Sequence, residues 1–187
     1  MSRVAVFGGS FSPVHSGHIA VAQGVLTRGL ADEVWMTPCR LNPLKDGSAL
    51  LPDSTRIYLL EKAVDWVNSR LADSPVKICD VELGMPSPSY TADTLRLLAL
   101  KYPEHNFRLL TGADSYLDFE RWKDWEWIES NFSPVVYPRP GSKMERLRPS
   151  WTLLDNVEET DISSTVLREK LNAGEDVKEW MPWIESK

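Results

Sequence analysis

Gly8-Gly9-Ser10-Phe11-Ser12-Pro13-Val14-His15-Ser16-Gly17-His18 stands between an apolar run, Val4-Ala5-Val6-Phe7, and a helical pattern from about Gly17 to Gly29. The run predicts a buried N-terminal strand. The pattern, with Ile19, Val21, Ala22, Val25 and Leu26 at helical spacing, predicts an amphipathic helix. A strand, a glycine-rich turn and a helix in that order form an anion site, because helix-start amides point at the ligand. Gly8 and Gly9 let the backbone approach it closely. His15 and His18 are three apart, so a helix start places both on one face. A glycine pair is often only a turn and a lone histidine is often packing. Here two of three histidines fall within four residues, behind a strand, which favours the anion site. His105 lies in a Pro-Glu-His-Asn connection and reads as structural.

Outward from that motif, strand-like and helix-like stretches alternate. Val34–Thr37, Val76–Cys79, Phe107–Leu110, Pro134–Tyr137 and Trp151–Leu154 read as further strands. Asp53 or Ser54 is expected to cap a helix carrying Ile57, Leu60, Val64 and Val67. Another helix is entered near Thr91 and carries Leu95, Leu98 and Ala99. A last one starts near Ser163. Residues 41–52 read as a loop. This alternation predicts an α/β fold: a Rossmann-like, doubly wound, mainly parallel sheet with helices on both faces. No linker divides the 187 residues, so one domain is expected.

Such a sheet binds ligands beyond the carboxyl ends of its strands. The Gly8–His18 motif, Gly112-Ala113-Asp114 and Arg139-Pro140-Gly141 all fall there. Ile162-Ser163-Ser164-Thr165-Val166-Leu167-Arg168 opens the last helix. Ser163 is a good N-cap, Ser164 and Arg168 share a face, and Val166, Leu167 and Leu171 are expected to face the sheet. Amides, hydroxyls and a guanidinium at a helix start make a second anion cradle. Pro88-Ser89-Tyr90-Thr91 opens a third helix whose amides suit a small carboxylate, with Ser89 or Thr91 as cap. Eight tryptophans is a high count for this length. Trp122 is assigned to the pocket, where a ring stacks on a cationic ring, and Trp125 or Trp127 to packing.

Composition bounds the partners. Net charge is −6, which argues against a nucleic-acid surface. No apolar run approaches membrane-spanning length, and no signal-peptide pattern opens the chain. Cys39 and Cys79 suggest neither a metal site nor a disulfide framework, so a cytoplasmic setting is expected.

Gly8–His18 resembles the nucleotidyltransferase signature Gly-Gly-x-Phe-x-Pro-x-His-x-Gly-His. Residues 162–168 match that superfamily's second signature, Ile-Ser-Ser-Thr-x-x-Arg. Pro-Ser-Tyr-Thr-x-x-Thr-Leu at 88–95, Gly-x-Asp at 112–114 followed by tryptophan, and Arg-Pro-Gly at 139–141 resemble the bacterial nicotinate-nucleotide adenylyltransferase family. The resemblance runs from Val4 to about Leu171. It implies adenylyl transfer from ATP to nicotinate mononucleotide, giving deamido-NAD and pyrophosphate. His15, His18 and Arg168 are implied as catalytic. Gly8, Gly9, Ser10, Phe11, Lys45, Gly112, Asp114, Ile162, Ser163 and Ser164 are implied on the ATP side. Lys45, Tyr90, Thr91, Trp122 and Arg139 are implied around the nicotinate mononucleotide. The helical part from about residue 160 is expected to complete the ATP phosphate site. Mg²⁺ is expected to arrive with ATP, without a protein metal cage.

The chain departs from the family at Ser12, where an acidic or amide residue is usual. It also departs at Asn42-Pro43-Leu44-Lys45, where Pro-Pro-His-Lys is common, leaving Lys45 to supply the charge alone. The amide mononucleotide, phosphopantetheine and a non-catalytic nucleotide-binding role remain rival readings. Homo-oligomerisation stays open.

Overall fold

In the computed structural model, residues 1–40, 50–73, 75–142, 144, 146–155, 157 and 162–184 are described. Six strands form one sheet in the order β3-β2-β1-β4-β5-β6. They are β1 (Arg3–Gly9), β2 (Glu33–Pro38), β3 (Val76–Ile78), β4 (Asn106–Gly112), β5 (Val135–Tyr137) and β6 (Thr152–Leu153). Every described pairing is parallel, so the sheet is wholly rather than mainly parallel. Strand order reverses between β1 and β4, which opens a crevice at their carboxyl ends.

Helices α1 (Ser16–Thr27), α2 (Asp53–Asn68), α3 (Thr91–Lys101), α4 (Ala113–Leu117), α5 (Trp125–Phe132) and α6 (Ser164–Asn172) cover both faces. Alternation along the strands divides the core. Ala5, Phe7, Val34, Met36 and Leu110 pack with α1, α2 and α6. Val4, Val6, Trp35, Phe107 and Leu109 pack with α3, α4 and α5. Val177, Met181 and Trp183 of the C-terminal tail are buried in the first cluster, and Trp180 O accepts a 2.7 Å hydrogen bond from Ser16 N. The tail thus holds the first turn of α1. No helix among the described residues is long and apolar enough to cross a membrane.

Several expectations are corrected. The first helix ends at Thr27; β3, β5 and β6 are one or two residues shorter than their apolar runs, whereas β2 and β4 extend beyond theirs at both ends. The cap of α2 is Pro52; Asp53 lies inside the helix and pairs with Arg56 at 2.6 Å. The inner face of α2 carries Arg56 rather than Ile57, beside Leu60, Ala63, Val64 and Val67. On α6 only Leu167 is fully buried; Val166 is partly buried and Leu171 is 40% exposed. The cap position of α3 is Tyr90, and Ser89 is engaged elsewhere. His105 is structural as expected: Nδ1 meets Ser2 Oγ at 2.6 Å and its ring packs on Trp35.

Candidate active site

A pocket of about 540 Å³ opens at the crevice, a size suited to a small-molecule ligand. The carboxyl ends of β1, β2, β4 and β5 form its floor, through Gly8-Gly9, Thr37, Thr111-Gly112 and Tyr137. Gly8 faces open space, with no atom within 4 Å of where a Cβ would stand. A side chain there would occupy ligand volume. At Gly112 a Cβ would meet Asp114 Oδ1 at 2.6 Å and Arg139 Nε at 3.0 Å, so glycine is what lets that pair approach.

His15 occupies the N-cap of α1 and His18 its first turn, with ring centroids 3.8 Å apart. Both are buried yet line the pocket. His15 N donates to His18 Nδ1 at 3.2 Å. That bond makes Nδ1 the acceptor, so the proton of the neutral His18 ring sits on Nε2. Burial, helped by the nearby Arg139 guanidinium, pushes the His15 imidazole down to about 4. His15 is therefore neutral at neutral pH, which spares the site two adjacent imidazolium charges. Its Nδ1 is buried without a hydrogen-bond partner.

On the opposite wall α6 begins. Ser163 Oγ caps it by accepting from Val166 N at 3.2 Å. Ser164 Oγ donates to Pro13 O at 2.9 Å, and Arg168 Nη1 donates to Ser12 O at 2.6 Å. The shared face predicted for Ser164 and Arg168 therefore clasps the Ser12-Pro13 turn. The two anion cradles read separately from the sequence are bolted together. Ser163, Ser164, Thr165 and Arg168 line the pocket.

Asp114, in the first turn of α4, lies 3.6 Å from Arg139 Nε. Asp114 Oδ1 and Arg139 Nε are nevertheless buried without hydrogen-bond partners, as is Trp122 Nε1. Four of the six such atoms among the described residues thus belong to residues lining this pocket. Buried polar atoms are normally satisfied, so this concentration points to a polar ligand.

At the far end, Tyr90 and Thr91 open α3 beside Trp122, which packs on Phe119 at 5.5 Å. Trp125 and Trp127 pack against the second core cluster, as expected. Ser10 also lines the pocket, whereas Phe11 and Ile162 do not. Phe11 takes a φ of 42° and turns its ring into the core against Phe7 and His18. Ile162 is buried in the first cluster. Ser12 is fully buried and its Oγ accepts from Leu51 N at 2.8 Å, so that departure sits beneath the pocket, in the turn's scaffold. Lys45, with Leu44, lies outside the described residues.

Sequence reasoning missed Thr37, Glu82, Thr94, Arg121, Lys123 and Tyr137 in the lining. Tyr137 had a signal, being the last residue of a strand that points at the crevice. Isolated charges such as Glu82 and Lys123 had none. Four lining cations, Arg121, Lys123, Arg139 and Arg168, face two carboxylates, Glu82 and Asp114. Arg121 and Lys123 are paired with Asp118 and Asp93 outside the lining and Arg139 faces Asp114, so Arg168 is the lining cation with no carboxylate partner among the described residues, which suits an anionic ligand.

Residues 6–170 match the cytidylyltransferase-like family. A Porphyromonas gingivalis protein named "Probable nicotinate-nucleotide adenylyltransferase" is 36% identical over 183 residues, covering 97% of this chain and 90% of that protein. An Azobacteroides pseudotrichonymphae protein of the same name is 35% identical, covering 96% and 92%. In fold, the chain is similar to Plasmodium falciparum nicotinic acid mononucleotide adenylyltransferase complexed with NaAD. That likeness has a TM-score of 0.80 at 21% identity, covering 97% of this chain and 91% of the other. The chain belongs to the cytidylyltransferase-like family and, within it, to the nicotinate-nucleotide adenylyltransferases.

Proposed function

We propose that this pocket transfers the adenylyl group of ATP to nicotinate mononucleotide, releasing pyrophosphate and forming deamido-NAD, with residues 1–187 working as one domain. The observation that carries the reading is the pairing of two unlike ends in one cavity. One end has the histidine pair and the start of α6; the other has the start of α3 and Trp122.

The triphosphate lies between Gly8, Gly9 and Ser10 on one side and Ser163, Ser164 and Arg168 on the other. Ser16 N is taken by Trp180 O, His18 N by His15 O and Val166 N by Ser163 Oγ, so the first-turn amides that suit phosphate oxygens are those of Gly17, Ser164 and Thr165. The neutral His15 ring and the Nε2–H of His18 donate to the α-phosphate. Asp114 binds on the nucleotide side, where its unpartnered Oδ1 suits a ribose hydroxyl. The first-turn amides of α3, at Tyr90 and Thr91, hold the nicotinate carboxylate and Trp122 stacks on the ring. Arg139 meets the mononucleotide phosphate. Magnesium arrives with ATP as part of that substrate.

A phosphate oxygen of the mononucleotide attacks the α-phosphorus as the bond to pyrophosphate breaks. The nucleophile is anionic at neutral pH, so no protein nucleophile is required. The enzyme's work is alignment and neutralisation of charge. Removing one such donor typically costs about two to three orders of magnitude in turnover.

Pyrophosphate release with ATP and Mg²⁺, measured for nicotinate mononucleotide, its amide counterpart and phosphopantetheine, tests the reading. Turnover favouring the acid is expected, falling at least about 100-fold in His18→Ala with the fold retained. Equal use of acid and amide would withdraw the assignment at Tyr90 and Thr91. Phosphopantetheine turnover, or ATP binding without turnover, would replace the substrate reading.

A further inference from the structure

Glu82 is the one lining carboxylate that the proposed reaction leaves unused. It sits in a 3-10 turn, Val81–Gly84, just beyond β3, and is only 7% exposed. Both its oxygens accept hydrogen bonds: Oε1 from Ser89 Oγ at 2.5 Å and Oε2 from Thr94 Oγ1 at 3.2 Å. Ser89 precedes Tyr90-Thr91 and Thr94 lies one turn later, so Glu82 ties down both flanks of the α3 start. Hydroxyls donating to both oxygens favour the carboxylate form, opposing the burial that disfavours it.

That charge has no ion-pair partner among the described residues. Arg56 is close enough to be felt, but it is already bonded to Ser10 O, Cys39 O and Asp53. Burial accordingly pushes the Glu82 carboxyl above the usual carboxylate range. A buried carboxylate without a cation is costly, and a site that retains one gains from a ligand that brings the cation. The pocket end that Glu82 shares with Tyr90, Thr91 and Trp122 is where a mononucleotide ring is expected.

We infer that Glu82 is a specificity-determining residue that selects a mononucleotide whose ring carries a positive charge. The inference rests on the proposed function and deepens it. The pocket reads the ring as a zwitterion: helix-start amides take the carboxylate, Trp122 the ring face, and Glu82 the ring cation.

Calorimetric binding of two probes tests this. One is nicotinate mononucleotide; the other is the same mononucleotide with a neutral benzoate ring in place of the pyridinium. Wild-type protein should bind the cationic ring about tenfold more tightly, and Glu82→Gln should erase most of that preference. The amide variant can keep the bond from Ser89, and Thr94 Oγ1 already reaches Tyr90 O at 3.3 Å as an alternative acceptor. The loop is thereby preserved. Glu82→Gln weakening both probes equally would reduce Glu82 to a purely structural role and overturn the inference. A preference that survives intact would assign it to Trp122 alone, with the same result. Failure of wild-type protein to bind either probe would remove the substrate reading and this inference together.

Discussion

His15 has its ordinary titration displaced by its surroundings, and the displacement has a measurable consequence. A histidine whose folded pKa is about 4, against about 6.5 when unfolded, binds fewer protons folded than unfolded across that interval. Stability therefore rises with pH from 4 to 6.5 and is lost on acidification through the same window. The full swing is about 3 kcal/mol. Urea unfolding at pH 7 and pH 5 should show a loss in the wild type that is absent in His15→Asn; parallel losses in both would locate the sensitivity elsewhere. His15 and His18 were legible in sequence because chemistry and spacing coincide there. Their 3.8 Å ring separation was not, since it depends on the N-cap geometry of α1. Arg56 was illegible for a plainer reason. A single arginine in a helical repeat reads as solvent-facing, yet this one is fully buried.

The elements were read best where the chain carries ordinary start and stop signals. Ser163 is such a signal. Ser163→Ala should remove the α6 cap, costing about 1 kcal/mol and lowering the melting temperature by roughly 2–4 °C in a chain of this size. Calorimetry checks it, and an unchanged transition would show that the clasp on Ser12-Pro13 alone holds the helix start. By contrast, α5 announced itself poorly. It is bounded by Asp124 at φ 53° and Ser133 at φ 37°, left-handed positions that usually carry glycine. Its tryptophans drew attention to chemistry, but Trp127 lies under the Arg96 guanidinium at 4.1 Å and Trp125 against Phe119. Their contacts are those of a helix packed on the sheet's second face. Tertiary packing and cation–π contacts, absent from local sequence, decide this helix.

At the scale of the molecule, alternation of strand and helix was enough to foresee a parallel sheet and the edge expected to bind ligand, while the strand order came with the structure. What holds that edge together came only with the structure. Arg56 reaches from α2 to Ser10 O at 2.7 Å and Cys39 O at 2.8 Å, joining the turns after β1 and β2. Arg56→Met should leave both carbonyls without their donor. The expected loss is about 3 kcal/mol, or roughly 10 °C in the thermal transition. A variant as stable as wild type would show that the turns need no such tie. The tail contact from Ser16 to Trp180 joins parts of the chain that are far apart in another sense as well. Ribosomes deliver the histidine motif before Trp180, at about 5–20 residues per second. For roughly ten to thirty seconds each newborn chain carries its histidines without the segment that seats them, so the order of synthesis delays assembly of the site until translation has passed Trp180.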